Sequence, residues 1–476
     1  MQKNVVLVTG NFNVLHPGHI RLLKFAKSFA DKLIVGVFSD DLAGNAVDVI
    51  EEFRLEAVKS INLVDQALLI CNPLDEFIKE HKPDIIVKGK EYEDKFNPEF
   101  EILQSYGGRL IFSSGEMGIS SKYTNEGYIN VPLSTKNILK SFMERHAITS
   151  QRLIDILNNF SHKKICVIGD IIIDEYIDCF ALGMSQEEPT LVVSPQEKRQ
   201  FLGGAGIVAS HASQLGAKVT FLSVTGQDQA RNFAASILEK YGVNYSFVVD
   251  SARPTTVKQR FRNQGRSLLR VSTLSQQAIA STLQSILLSE FKKAASQFDL
   301  IIFSDFNYGC LPQALVEKII SICKEKNILI ASDSQSSSQF GDISRFKGSD
   351  LITPTEREAR LAMQNYDDGL VVLADKLMVK AEAKFTLLKL GGEGMICQLK
   401  DTNKNMPHTE RLEALNPQPV DVSGAGDSVL TTSALALASG ASLIEASLLG
   451  NIAAFIQVGR VGNIPLTKPD LASVLT

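Results

Sequence analysis

Residues 10–27 read GNFNVLHPGHIRLLKFAK and follow the apolar run VVLVTG of residues 5–10. The apolar run predicts a buried strand, and the spacing of apolar residues after Pro17 predicts a helix. Proline suits the first position of a helix because its missing N–H would be unpaired there. The stretch therefore predicts a strand, a short loop and a helix, with His16 at the helix cap and His19 in the first turn.

The same alternation of short apolar strands and helices recurs in both halves of the chain. The strands of the first half are KLIVGVFS, ALLIC, DIIVKG and RLIFSS, and those of the second are KICVIGD, VTFLSVTG, DLIIFSD, ILIASD, DLITPT and FTLLKLGG. This alternation predicts an α/β fold class with parallel sheets. We expect one domain at 1–135, a polar linker at 136–160 and a second domain at 161–476. Exposed alternating strands within 175–201 and 255–273 predict a small β lid on the second domain.

The composition excludes several classes of protein. The 476 residues carry 49 Lys and Arg against 53 Asp and Glu, a formal charge of −4, so no broad positive field attracts nucleic acid or membrane. Six scattered cysteines lack metal-ligand spacing and predict reduced thiols without disulfide or zinc. The first apolar run stops after about five residues, too short for a secretion signal, so we expect a cytoplasmic protein.

The first strand–loop–helix unit has the chemistry of a phosphate site. A helix N-terminus attracts phosphate, and two imidazoles beside it can stabilise charge that develops during substitution at phosphorus. The string GNFNVLHPGH resembles the HxGH signature of the nucleotidylyltransferase superfamily. This resemblance implies a Rossmann-like domain in which a substrate phosphate attacks the α-phosphorus of a nucleoside triphosphate and pyrophosphate leaves, with Mg²⁺ present. It implies catalytic roles for His16 and His19 and nucleotide contacts at Gly10, Asn11 and Phe12.

Two later segments, IVKGKEY (86–92) and GISSKY (118–123), resemble further parts of that superfamily. They imply a catalytic phosphate contact for Lys88 and nucleotide contacts for Ser120 and Ser121. Asn13 stands where the superfamily usually has an acid, and Lys122 where it has a threonine. Without the resemblance, a capped surface helix would explain His16 and His19, and a solvated lysine in a turn would explain Lys88. The sequence leaves open whether ATP or CTP binds here.

DVSGAGDS (421–428) opens an Ala/Leu-rich helix near the other end of the chain. The N–H groups of Gly424, Ala425 and Gly426 can hold a γ-phosphate as it leaves ATP, because glycine lets the backbone approach closely. Asp427 can then accept the proton of the attacking hydroxyl as a general base. The alternative is an aspartate that merely stabilises a helix N-terminus.

Several segments of the second half together resemble the ribokinase, or PfkB, family of carbohydrate kinases. They are ICVIGDIIIDEY, SQEEPTLVV, FLGGAGIVASHASQLGAKVTFLSVTGQD, KLGGEG and DVSGAGDS. The resemblance implies sugar contacts at Asp170, Gly203 and Gly204, an indirect Mg²⁺ contact at Glu358, and adenine near Asn451. The chain departs from the family at Ile207 and Thr355, where asparagines are usual, and at residues 333–335 (DSQ), where Asp-Pro-Lys is common.

The lid sequence TVKQRFRNQ places Lys258, Arg260 and Arg262 at every second position, hence on one face of a strand. We expect these cations to face the distal phosphate of a sugar phosphate, with Lys258 and Arg260 as substrate-binding residues. A solvated basic strand edge explains the pattern equally well. Exposed lid strands often pair with a copy of themselves, so we also expect a homodimer through the lid.

The two chemistries are complementary, because a kinase that makes a sugar 1-phosphate supplies the nucleophile for a nucleotidylyltransferase. The pairing resembles the bifunctional heptose 7-phosphate kinase and heptose 1-phosphate adenylyltransferase family of lipopolysaccharide biosynthesis, with the domain order exchanged. It implies phosphorylation of D-glycero-D-manno-heptose 7-phosphate at its 1-hydroxyl and formation of ADP-heptose. Two alternatives stay open: a cytidylyltransferase for a polyol or amino-alcohol phosphate fused to another sugar kinase, or fused to a degenerate sugar sensor.

Overall fold

The computed structural model describes residues 4–13, 15, 17–44, 49–89, 97–112, 131–263, 266–335, 341–399, 408–416 and 419–475. The chain divides into two compact units, Met1–Gly127 and Tyr128–Thr476. Both units are α/β, which confirms the predicted fold class.

The first unit is a parallel sheet with helices between its strands. Its elements are β1 (Val5–Gly10), α1 (Pro17–Lys27), β2 (Lys32–Phe38), α2 (Asp40–Ala43), α3 (Glu51–Lys59), β3 (Gln66–Ile70), α4 (Leu74–His81), β4 (Ile85–Lys88), α5 (Glu99–Gln104) and β5 (Arg109–Phe112). The strand order is β3-β2-β1-β4-β5, and every pairing is parallel. Along β1, Val6 and Val8 pack into one apolar cluster and Leu7 into the other, so both faces of the sheet are covered.

The second unit has one large sheet and one small sheet. Its strands are β6 (Lys164–Gly169), β7 (Ile171–Met184), β8 (Leu191–Gly204), β9 (Lys218–Thr225), β10 (Asn244–Val249), β11 (Thr256–Asn263), β12 (Arg266–Thr273), β13 (Leu300–Asp305), β14 (Leu329–Ser334), β15 (Leu351–Ile352), β16 (Phe385–Lys389), β17 (Met395–Leu399) and β18 (His408–Leu412). The large sheet has the order β10-β9-β6-β13-β14-β15-β16-β17-β18, parallel as far as β16 and antiparallel at β17 and β18.

Helices cover both faces of the large sheet. They are α6 (Leu133–Arg145), α7 (Ser150–Asn159), α8 (Ala205–Gln214), α9 (Gln229–Lys240), α10 (Ser281–Ala294), α11 (Gln313–Glu325), α12 (Glu356–Met363), α13 (Leu370–Lys380), α14 (Ala425–Ala438), α15 (Leu443–Val458) and α16 (Lys468–Leu475), with short 3₁₀ helices at Phe160–His162, Ala295–Gln297, Ile343–Arg345 and Gly391–Glu393. The apolar residues of β6 alternate between two large clusters, Ile165 and Val167 in one and Cys166 and Ile168 in the other.

The small sheet is the predicted lid, with the strand order β12-β11-β7-β8. The strand β7 starts two residues after β6 ends, so the lid grows directly out of the large sheet. The pairing of β7 with β11 is parallel, while β8 and β12 are antiparallel to their neighbours. The expectation of a small β lid from exposed alternating strands is confirmed.

The residues expected to form a linker, 136–160, contain most of α6 and all of α7. The apolar side of each helix is buried in the core of the second unit, through Leu139 and Phe142 on α6 and Leu153 and Ile156 on α7. These helices are therefore structural parts of the second unit, although the domain boundaries themselves stay a prediction. All six cysteines are free thiols. Among the described residues, no helix is both long and apolar enough to cross a bilayer.

Candidate active sites

A cavity of about 440 Å³ lies in the second unit between the lid, the ends of the central strands and the start of α14. It brings together most of the residues predicted from the kinase-like motifs. Those that line it are Gly204, Lys258, Arg260, Glu358, Gly424, Ala425, Gly426, Asp427 and Asn451. The lid strands supply one end of the cavity, and α14 and α15 supply the other.

The start of α14 has the backbone that a phosphate site requires. Gly424 is its N-cap and has a positive φ of 76°, a conformation that favours glycine. A Cβ on Gly424 would lie 2.3 Å from Asn463 Oδ1, so a larger residue does not fit there either. The N–H of Ala425 donates to the carbonyl of Val422 at 3.3 Å, and the N–H of Ser428 donates to that of Gly424 at 3.0 Å. Residues 424–427, which form the start of the helix, line the cavity.

Asp427 lies in the first turn of α14 with a buried side chain. Its Oδ1 accepts a hydrogen bond of 3.3 Å from the side-chain amide of Gln335. Burial raises the pKa of Asp427 to about 7, and the carboxylates of Asp333 and Asp174 add to the rise against the opposing charges of Lys389 and Lys258. A carboxylate with a pKa near neutrality can both accept and release a proton, as a general base must.

An ionic cluster surrounds Lys389 at the end of β16. The ammonium pairs with Asp333 Oδ2 at 3.0 Å, and Glu358 also acts on it electrostatically. Glu358 accepts the backbone N–H of Thr355 at 2.7 Å, while the Thr355 hydroxyl accepts the N–H of Glu358, a capping box at the start of α12. Thr355 therefore keeps Glu358 in place, although the related family usually has asparagine at this position.

The acidic groups of the cavity determine whether a divalent cation fits there. Among the described residues, no three His, Cys, Asp or Glu side chains lie close enough together to hold a metal ion by themselves. Glu358 and Asp427 nevertheless both line the cavity. This arrangement fits a Mg²⁺ that is carried mainly by nucleotide phosphates, with carboxylates behind it.

Asp174, on β7, is a cavity residue that the sequence reasoning missed. Its carboxylate pairs with Arg260 and accepts a 3.3 Å hydrogen bond from the Asn463 amide. A Cβ on Gly203 would lie 2.3 Å from Asp174 Oδ2, so glycine is needed there to leave room for the carboxylate. Asp174 lies four residues after Asp170 in the same motif, and the sequence offered no reason to prefer it.

The structure does not bring Asp170 into the cavity. Its carboxylate accepts backbone N–H groups of Phe306, Tyr308 and Cys310 at 2.9–3.2 Å. Burial, together with the charge of Asp305, raises the pKa of Asp170 to about 6. Asp170 therefore holds the loop after β13, and Asp174 is the aspartate of this motif that lines the cavity.

The basic residues of β11 have aromatic neighbours. The Lys258 ammonium lies 5.1 Å from the ring centres of both Phe306 and Tyr308. The guanidinium of Arg262 lies 4.9 Å from the ring centre of Tyr176. Since Lys258 and Arg260 both line the cavity, the alternation of the sequence does place them toward a common site.

Ile207, which stands where related kinases usually have an asparagine, is completely buried in the apolar core.

The other end of the cavity is mostly apolar, as a slot for a flat base would be. Its walls include Leu415, Pro419, Val422, Ala454 and Phe455. Asn451 lies beside them and donates its side-chain amide to the carbonyl of Glu413 at 2.8 Å. The polar and charged groups therefore lie toward the lid and the start of α14, and the apolar surface lies toward α15.

In the first unit, the loop after β1 and the start of α1 form the corresponding site. The helix begins at Pro17 as expected, and His19 is half-buried with its ring centre 5.0 Å from that of Phe12. Phe12 has a positive φ of 53°, and a Cβ on Gly10 would lie 3.2 Å from its ring. The predicted contacts Gly10, Asn11, Phe12 and His19 therefore lie together at the carboxyl end of β1.

Two charged residues border this loop. Lys88 ends β4, the neighbour of β1, and its ammonium pairs with the buried Glu99 at 2.8 Å. Arg54, on α3, was not expected from the sequence; it is fully buried and donates to the carbonyl of Asn11 at 2.6 Å. The remaining predicted residues, His16, Ser120 and Ser121, and the noted departure Lys122 lie outside the described residues.

Each of the two units matches a known family. Residues 162–470 match the family described as pfkB family carbohydrate kinase, and residues 7–125 match the family described as Cytidylyltransferase-like. Their order confirms the predicted order of the two domains.

Curated relatives confirm the predicted resemblance to a bifunctional family. The chain is 34% identical over 322 residues to the Bifunctional protein HldE of Desulfatibacillum aliphaticivorans, which covers 66% of this chain and 64% of that protein. It is 31% identical over 323 residues to the protein of the same name from Caulobacter vibrioides, which covers 66% and 64%. The match thus spans less than two thirds of the length of these relatives.

Solved structures show the fold of the second unit. Arabidopsis thaliana ribokinase, complexed with ribose and ATP, superposes with a TM-score of 0.51 at 17% identity over 66% of this chain and 98% of that one. Escherichia coli phosphofructokinase-2, in complex with substrates and products, gives a TM-score of 0.54 at 16% identity over 66% and 98%. The ribokinase-like fold predicted for residues 161–476 is confirmed.

Proposed function

Because the chain belongs to the pfkB family of carbohydrate kinases, we propose that it is a bifunctional enzyme of nucleotide-sugar biosynthesis. The second unit phosphorylates a sugar phosphate with ATP, and the first transfers a nucleotidyl group to a sugar 1-phosphate. The observation that carries the kinase assignment is the buried Asp427, which faces the same cavity as Asp174 and the backbone of residues 424–426.

In the proposed kinase reaction, Asp427 accepts the proton of the attacking sugar hydroxyl. The hydroxyl oxygen forms a bond to the γ-phosphorus, the bond from that phosphorus to the bridging oxygen of ADP breaks, and ADP leaves. The N–H groups at the start of α14 hold the phosphoryl oxygens. Asp174 accepts hydrogen bonds from the sugar, and Asn451 borders the adenine. Glu358 would help to hold a Mg²⁺ on the nucleotide phosphates, where the ion would supply positive charge.

A phosphorylated sugar fits the lid end of the cavity better than a free sugar. Arg260 is already paired with Asp174, whereas the Lys258 ammonium lies 5.1 Å from the ring centres of Phe306 and Tyr308 and acts on Asp427 electrostatically. A phosphate between Lys258 and the lid would meet a cation that Asp174 does not neutralise. The relatives named Bifunctional protein HldE support D-glycero-D-manno-heptose 7-phosphate, phosphorylated at its 1-hydroxyl, as the substrate.

In the proposed reaction of the first unit, the phosphate of the sugar 1-phosphate attacks the α-phosphorus and pyrophosphate leaves. His16 and His19 stabilise the charge that develops, and Lys88 contacts the phosphates. Gly10, Asn11 and Phe12, with Ser120 and Ser121, bind the nucleotide. ADP-heptose is the product if the nucleotide is ATP, and CTP is the alternative that the experiment below distinguishes.

A degenerate sugar-sensing domain is the second candidate for residues 161–476. The observation in its favour is Ile207, whose side chain is buried in the core where related kinases have a sugar-binding asparagine. Against it, Asp427 keeps the burial and raised pKa that catalysis needs, and Thr355 preserves the position of Glu358 through its capping box.

The deciding experiment is mass spectrometry of the products after incubation with heptose 7-phosphate, ATP and CTP. The proposal expects a heptose bisphosphate and ADP from the wild-type protein and neither from Asp427→Asn. Heptose 1-phosphate is supplied separately to test the first unit, so that this test does not depend on the kinase reaction. ATP-dependent pyrophosphate release supports an adenylyltransferase, and release with CTP alone supports a cytidylyltransferase. Equal ADP release by wild type and Asp427→Asn contradicts the kinase proposal.

The proposed enzyme is a cytoplasmic homodimer. Its substrates are cytoplasmic metabolites, and the free state of all six cysteines agrees with a reducing compartment. The lid carries exposed apolar side chains suited to a partner lid, namely Phe180, Leu182, Met184, Leu191 and Leu269. Analytical ultracentrifugation tests this, because Phe180→Ser/Leu182→Ser should turn a dimer into a monomer, and a monomeric wild-type protein contradicts it.

A further inference from the structure

Lys389, the first residue of the KLGGEG segment, is a largely buried cation in the wall of the kinase cavity, and the sequence predicted no role for it. It is the last residue of β16, and only 11% of its side chain is exposed. Its backbone N–H donates to the carbonyl of Pro354 at 2.8 Å, and its ammonium pairs with Asp333. Both the backbone and the ammonium of Lys389 therefore have partners, and the residue lines the cavity.

The ammonium of Lys389 lies against the start of α14. A Cβ built on Gly426 would be 3.1 Å from Lys389 Nζ, which is closer than most such contacts in proteins. Gly426 is one of the residues whose N–H groups are proposed to hold the transferred phosphoryl group. The ammonium thus lies beside Gly426, in the wall of the same cavity.

Lys389 interacts with more than one carboxylate. Three acidic groups act on it, from Asp333, Glu358 and Asp427. Burial alone would lower the pKa of Lys389, but these carboxylates outweigh burial and raise it, so the side chain stays charged at neutral pH. The carboxylates around Lys389 repel an anionic polyphosphate that enters the cavity. A lysine that stays charged offsets this repulsion, and it cannot dissociate from the protein.

We propose that Lys389 is a catalytic residue of the kinase site, which binds the β- and γ-phosphates of ATP and stabilises charge on the phosphoryl group in transfer. The inference rests on the proposed kinase function. A purely structural ion pair would gain little from its position in the cavity wall, since buried pairs seldom stabilise a fold more than apolar residues of the same size do.

The test compares the affinities of adenosine, ADP and the β,γ-imido analogue of ATP by calorimetry on the full chain. Lys389→Met should leave adenosine affinity unchanged and weaken the imido analogue by on the order of 10- to 100-fold, with ADP between them. Lys389→Arg should retain part of the affinity, because it keeps the charge. Equal weakening for adenosine and the ATP analogue contradicts the proposal.

A double variant separates binding from folding. Lys389→Met alone leaves Asp333 buried without its partner, so the site can rearrange. Asp333→Asn/Lys389→Met removes both charges and should still bind the ATP analogue as weakly as Lys389→Met, whereas Asp333→Asn alone should bind it much better. Restored binding in the double variant, or an equal loss in Asp333→Asn alone, shows a structural role and overturns the proposal. If the wild-type protein binds no ATP analogue, the kinase function itself fails, which is a distinguishable result.

Discussion

The buried charge of Asp427 should destabilise the fold that it serves. Its pKa rises from the ordinary 3.8 to about 7, chiefly because burial disfavours the ionised form. At 1.36 kcal/mol for each tenfold change in the ionisation constant, this rise corresponds to about 4 kcal/mol. The folded-state pKa is the higher one, so the cost of ionisation develops as the pH rises from about 4 to 7 and is complete above 7.

Asp427→Asn should therefore stabilise the second unit at pH 8 while lowering the kinase kcat by on the order of 10²- to 10⁴-fold. The stability gain should approach about 4 kcal/mol at pH 8 and fall to about 2 kcal/mol or less at pH 5, because the folded wild type is then protonated. Asparagine keeps an oxygen that can accept the hydrogen bond from Gln335.

The measurement is urea denaturation of both proteins at pH 5 and pH 8, following the transition of the second unit. Asp367→Asn, at an exposed carboxylate in the same unit, is the matched control and should show no pH-dependent gain. The reasoning is refuted if Asp427→Asn is no more stable than the wild type at pH 8. It is equally refuted if the gain is the same at both pH values.

Three further predictions test other parts of the structure. Arg54→Met should destabilise the first unit by about 3 kcal/mol, because it unpairs groups around a fully buried guanidinium; an unchanged urea midpoint contradicts this. Asp174→Asn should raise the sugar KM at least about tenfold, while Asp170→Asn should leave it within about twofold because Asp170 binds backbone; equal effects of the two changes would remove the distinction. Gly424→Ala should abolish kinase activity, whereas Gly440→Ala, also at positive φ but with open space, should keep it; activity in Gly424→Ala refutes the assigned backbone role.

The elements of the fold were largely predictable because their signals are local. The apolar runs and their spacing define the strands of both large sheets, and exposed alternation defines the lid. The linker region shows the limit of such signals. The sequence around residues 136–160 is polar enough to resemble a connection, but α7 buries Leu153, Ile156 and Leu157 against the core of the second unit. Only the tertiary structure shows what that apolar side contacts.

The site residues were predictable where a motif fixes the backbone. The predicted roles of residues 424–427 depend only on where α14 begins, and the sequence predicts that start. Asp170 and Asp174 could not be told apart, because the loop that binds Asp170 comes from residues 306–310, far along the chain. The role of Lys389 could not be predicted for the same reason, since its partner Asp333 lies on another strand.

The central claim is that one chain holds two separate phosphate-transfer sites, one at the start of α1 and the other at the start of α14. The most direct measurement is of both activities in the wild type and two variants, with ADP release from ATP and heptose 7-phosphate as one assay and pyrophosphate release from nucleoside triphosphate and heptose 1-phosphate as the other. Asp427→Asn should lose the first activity and keep the second, and His19→Ala should do the reverse. The claim is contradicted if either variant loses both activities. It is also contradicted if both variants keep both activities.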